Sequence, residues 1–137
     1  AASFCVAAER ARVPAQLRTT AEEAPRAGKQ WGSDLSSALE FLSTADSGTD
    51  RGLASLPERV RDVVSPGQGI ALVVVTGRVD AERLELLTLL RSRFLSVSLA
   101  QLVTPESEQA TRPRGVLAVA ASTSTEFAAT WNRLVLR

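Results

Sequence analysis

Thr76, Gly77 and Arg78 close an apolar run, Ile70-Ala71-Leu72-Val73-Val74-Val75, and stand where this chain is best placed to meet a ligand. A run of that kind, with three valines together, reads as a strand covered on both faces, as in a parallel sheet between helices. Ligands of such sheets bind beyond the carboxyl ends of the strands. Arg78 would offer a two-pronged donor fork to a carboxylate there, and Thr76 a hydroxyl. Ser33 and Asp34, entering a helix, complete a polar rim suited to an ion or to a partner's carboxylate. Ordinary capping competes with that reading, because Ser33 and Asp80 stand where helix starts want oxygen acceptors and Arg78 can simply face water.

Other chemistries are excluded by what the chain lacks. It has no histidine, so a Ser-His-Asp triad, a Cys-His pair and histidine-based zinc sites cannot be assembled within it. Tyrosine is absent as well, and the single cysteine, Cys5, can form neither an internal disulfide nor a zinc cluster. Its neighbours Phe4 and Val6 favour a buried thiol in a helix. Neither a phosphate-cradling Gly-x-x-x-x-Gly-Lys loop nor a Gly-x-Gly-x-x-Gly fingerprint occurs. The adjacent carboxylates Glu22 and Glu23 lie in polar surroundings and read as water-facing rather than as an acid/base couple. Catalysis contained within this chain, and a bound cofactor, are therefore not expected.

Sixteen basic residues against fifteen acidic ones leave a formal net charge of +1. Acidic and basic residues alternate locally, as in Glu58-Arg59, Arg61-Asp62 and Glu82-Arg83, which is the pattern of solvated helix faces and not of a phosphate track. A nucleic-acid partner is not expected. No run approaches the roughly 18 apolar residues that a membrane-spanning helix needs, so direct membrane insertion by this segment is not expected either. Hydrophobic residues make up 45% of the 137, enough for a real aliphatic core, and the whole of 1–137 reads as a single α/β domain. The opening Ala1-Ala2-Ser3-Phe4, without a methionine, suggests a fragment of a longer protein.

The elements that must position the rim follow from periodicity. Phe4, Cys5, Ala8 and Ala11 have helical spacing, predicting a helix through Arg12. Val13 to Thr19 reads as a short strand which Pro14 assigns to a sheet edge. Thr20 to Gly32 is loop-like, and Ser33 then caps a helix reaching about Thr44, with Leu35, Ala38, Leu39 and Leu42 on its inner stripe. Ser55-Leu56-Pro57-Glu58 has capping-box form and starts a helix to Val64. After the strand at Ile70, Asp80 caps a helix from Ala81 to about Arg93, with Leu84, Leu87, Leu90 and Phe94 inward and Leu86 and Leu89 broadening the stripe.

Leu95 to Val103 is a further strand, Thr104 to Arg114 an exposed loop suited to contacts, and Gly115 to Ala120 a third buried strand. Thr123-Ser124-Thr125-Glu126 offers a capping box for a closing helix with Phe127, Trp131, Leu134 and Val135 inside. Strands alternating with helices of these lengths predict a mainly parallel, doubly wound, Rossmann-like sheet with helices on both faces.

Two stretches carry a resemblance. Gly69 to Arg78 followed by Asp80-Ala81-Glu82-Arg83 resembles the later half of a von Willebrand factor A-like domain. Trp31-Gly32-Ser33-Asp34-Leu35, with Ala38-Leu39, is similar to the Gly-Thr-x-Leu…Ala-Leu segment of bacterial, chiefly actinobacterial, proteins grouped as domain-of-unknown-function family fifty-eight. The resemblance implies a degenerate metal site. The chain has no Asp-x-Ser-x-Ser, Ser33 stands near the family's threonine, and Gly77 replaces its aspartate, so the oxygen ligands that magnesium needs are broken up.

It further implies that the fold's first strand, which would lie between the strands at Val13 and Ile70, is missing and is supplied by the parent chain or by a second copy. Unpaired backbone in mid-sheet demands such complementation. By the same resemblance this is a non-catalytic protein–protein interaction domain acting with a MoxR-type AAA ATPase, cytoplasmic, in a parent anchored to the membrane elsewhere. The alternative is a module binding a divalent ion or nucleotide at the strand ends. On the leading reading the partner-binding residues are Ser33, Asp34, Thr76, Gly77 and Arg78.

Overall fold

The chain closes its first helix without a glycine. Helix α1 (Ala2–Arg10) starts at Ala1, whose carbonyl accepts from the N–H groups of Phe4 and Cys5 at 2.9 and 3.3 Å. At its other end Arg12 takes a left-handed φ of 54°, its N–H donates to the Glu9 carbonyl, and the Val13 N–H donates to the Ala8 carbonyl at 2.9 Å. This double bond pattern is a Schellman turn, with arginine where glycine is usual. It reverses the chain before a strand can begin. Residues 13–20 are irregular, and Val13 and Pro14 are exposed, so the edge strand expected at Val13 to Thr19 does not form. A left-handed turn directly upstream and a proline without a donor N–H explain why.

The computed structural model describes residues 1–20, 35–44, 54, 56–59, 69–77, 79–104 and 113–135. The chain divides into two compact units, Ala1–Ser55 and Leu56–Arg137. In the first, α1 packs against α2 (Leu35–Thr44). Ala38 is buried and Leu35, Leu39 and Leu42 are half-buried, as their spacing predicts. In its last described turn the hydroxyls of Ser43 and Thr44 donate back to the Glu40 carbonyl at 2.7 and 3.2 Å. Cys5 is half-buried in α1, not fully buried as expected, because no residue of that helix is buried. The predicted loop, Trp31 and the Ser33 cap lie outside the described residues.

The second unit holds a three-stranded parallel sheet in the order β1-β2-β3, formed by β1 (Ala71–Thr76), β2 (Ser96–Leu102) and β3 (Leu117–Ala121). With helices α3 (Leu56–Arg59), α4 (Ala81–Leu90) and α5 (Ser124–Val135) it makes a mixed α/β fold. The described part of α3 starts with Pro57 in its first turn; its expected cap Ser55 and continuation to Val64 lie outside the described residues. Leu84, Leu87 and Leu90 of α4 are buried together with Phe94, which bears out the predicted stripe. Burying each such side chain is worth roughly 1.5–3 kcal/mol. Leu89 does not broaden that stripe. It is 71% exposed, and α4 ends at Leu90, three residues short of the expected Arg93.

Between α4 and β2, the Leu95 N–H donates to the Ile70 carbonyl at 2.8 Å and brings β2 in beside β1. At β3 the entry is a tight turn over Pro113 to Val116, closed by the Val116 N–H on the Pro113 carbonyl at 3.3 Å. Gly115 sits third in that turn with φ 70°, the position of a type II turn that wants glycine. The guanidinium of Arg91 lies over Gly115, in the space a β-carbon would fill. That approach ties the end of α4 to the start of β3.

Helix α5 packs on β3. Phe127 and Trp131, one turn apart, stack with ring centroids 5.5 Å apart and planes 24° apart, and both are half-buried. Leu134 is exposed rather than inside, at the last turn of the helix, and the Val135 side chain lies outside the described residues.

The strand at Ile70 is not the buried centre its sequence suggests. Among the described residues β1 is a sheet edge, with Val74 buried but Ala71 and Val73 exposed, Val73 at 38%. The central place belongs to β2, buried from Val97 through Gln101. A period-two pattern such as Ser96-Val97-Ser98-Leu99 signals a half-exposed strand. Neighbours on both sides override it, and Ser98 is small enough to be enclosed.

Candidate functional site

The carboxyl ends of β1 and β2 bring Thr76 and Gln101 together. Thr76, the last residue of β1, is half-buried and pairs in register with Gln101 of β2, which pairs in turn with Ala120 of β3. Registered residues of a parallel ladder project to the same face, so Thr76 and Gln101 lie side by side. Gln101 is 4% exposed, an amide held within the most buried strand of the sheet. No buried side-chain nitrogen or oxygen among the described residues lacks a hydrogen-bond partner.

Gly77 follows Thr76 as an exposed bend, and a β-carbon built on it meets nothing within 4 Å. Backbone at this bend is open to approach from solvent. Beyond it, the predicted cap Asp80 holds the cap position of α4 with its backbone, which accepts from the N–H groups of Arg83 and Leu84 at 3.1 and 3.2 Å. Its side chain makes no capping hydrogen bond, contrary to expectation. The extended conformation there, φ −66° and ψ 148°, suits a cap residue, and Glu82 places a carboxylate in the first turn where the helix dipole favours it.

After β3 the chain caps α5 thoroughly. The Glu126 N–H donates to Thr123 Oγ1 at 3.1 Å, which is half of the predicted capping box. The other half is displaced by one residue. Glu126 Oε2 accepts from the Ser122 N–H at 2.9 Å and from Ser122 Oγ at 3.0 Å, in place of the Thr123 N–H. The Ser122 N–H, followed by the Ser122 hydroxyl, holds the Glu126 carboxyl below its ordinary range, because both bonds favour the charged form. A weaker desolvation effect opposes them.

Of the residues singled out in the sequence, Thr76 and Gly77 stand together at the end of β1. Ser33, Asp34 and Arg78 lie outside the described residues, as does most of the Thr104–Arg114 contact loop. Sequence reasoning passed over Gln101 and Ser122. The signal for Gln101 was a single long amide inside a strand, just short of its end; Ser122 carried none beyond preceding a capping threonine. The arrangement is a hydroxyl and an amide side by side at the ends of β1 and β2, able to donate and accept hydrogen bonds, and, past the end of β3, the Ser122 hydroxyl bonded to a carboxylate committed to the helix start. Among the described residues no group of three or more histidine, cysteine, aspartate or glutamate side chains could hold a metal ion. Also among them, no helix is long and apolar enough to cross a membrane. No family model, no curated protein and no solved structure matches this chain.

Proposed function

We propose that this chain is a non-catalytic protein-binding module, and that it receives an extended segment of a partner protein along β1. One observation carries the reading: β1 is uncharged and apolar up to Thr76, yet it has β2 on one side and no ladder partner among the described residues on the other. A strand edge of that kind is a template for a further strand, and such edges ordinarily carry a lysine, a proline or a bulge that blunts them. Between Ala71 and Thr76 there is none of these. Thr76 and the open bend at Gly77 extend the contact past the end of the strand.

The resemblance to von Willebrand factor A-like proteins of the bacterial type supports the same reading and names the partner to try, a MoxR-type ATPase from the same organism. It also fits the open edge, since in that fold a further strand lies beside the one that β1 resembles. Binding of the purified chain to the purified ATPase, followed by biolayer interferometry, tests the proposal. Val73→Lys and Arg78→Glu should each weaken the complex at least tenfold while far-ultraviolet circular dichroism stays unchanged. Unaltered binding by both variants overturns it. Self-association that disappears with Val73→Lys would instead make a second copy the occupant, and would equally overturn the reading of a separate partner.

A further inference from the structure

We draw no further inference here: the strongest candidate, the polar pair Thr76 and Gln101 at the carboxyl ends of β1 and β2, belongs to the site already described, and nothing in the structure shows what covers it.

Discussion

Strand β1 consists of apolar residues and a terminal threonine, yet of its six residues Val74 alone is buried, whereas β2 contains two serines and a glutamine and is buried from Val97 to Gln101. Composition ranks the two strands in the wrong order. Place in the sheet ranks them correctly: among the described residues β2 has a parallel neighbour on each side, and β1 has one. A strand's exposure is thus decided less by its own hydrophobicity than by what stands beside it, and the surplus hydrophobicity of β1 is what the proposed partner segment would cover.

The sharpest way to break this comparison is to truncate one side chain in each strand. Leu99 of β2 is fully buried, so Leu99→Ala leaves a cavity and should cost about 2–5 kcal/mol in urea unfolding. Val73→Ala, at the partly exposed edge, should cost less than about 1 kcal/mol, because surface changes rarely exceed that. Equal losses would mean that the two strands are equally enclosed and that the contrast is false.

Next in size is the turn that delivers β3 to the far side of β2. Gly115→Ala forces a left-handed φ on a residue with a β-carbon, at about 1–2 kcal/mol. The added carbon also displaces the Arg91 guanidinium, but that is the far end of a flexible side chain and can swing away cheaply. Repeating the substitution with Arg91→Ala separates the two effects: the loss should persist nearly whole. If it vanishes, the contact with Arg91 and not the backbone is what requires glycine.

A smaller effect belongs to the cap that follows β3. Thr123→Ala removes the acceptor for the Glu126 N–H and should cost about 1 kcal/mol. Glu126 adds a pH dependence. Its carboxyl titrates below the ordinary range in the folded chain, so its contribution is fully present above the unfolded value and is lost as pH falls through the folded one. The melting-temperature gap between the natural chain and Glu126→Gln should therefore be widest at neutral pH and narrow in acid. A gap that stays constant from neutral pH into acid would show that the Ser122 bonds do not favour the charged form.

Much of the second unit was legible in the sequence, and the reason is local. The α4 stripe, the start of α5 and the positions of all three strands follow from spacing and capping within a dozen residues, and the structure keeps each to within a few residues. Sheet order is not local. Nothing between Ile70 and Thr76 records that its neighbour on one side is Ser96 to Leu102, so the run reads as a centre where, among the described residues, it is an edge. The strand expected at Val13 failed for a different reason: an arginine in a left-handed turn is not a signal that propensity reveals. Of the site, Thr76 and Gly77 were found because strand ends are where apolar runs stop. Gln101 was missed because its importance comes from standing opposite Thr76 on another strand.

The smallest change in stability is expected where the functional claim is largest. Val73→Lys places a charge on the outer strand at a residue that already touches solvent, and the lysine stem can lie along the strand while its ammonium reaches water. Its cost to unfolding should stay below about 1 kcal/mol, the span of strand preferences at exposed positions. The same lysine is the device by which natural edges refuse a further strand. Stability and binding should therefore separate at this residue, with an almost unchanged urea midpoint and a partner complex weakened at least tenfold. A loss of more than about 2 kcal/mol in the isolated chain would place Val73 among enclosed residues, since a cost of that size comes from burying an unpaired charge and not from a surface exchange. The edge of β1 would then already be covered, and the difference from β2 on which the proposed function rests would disappear.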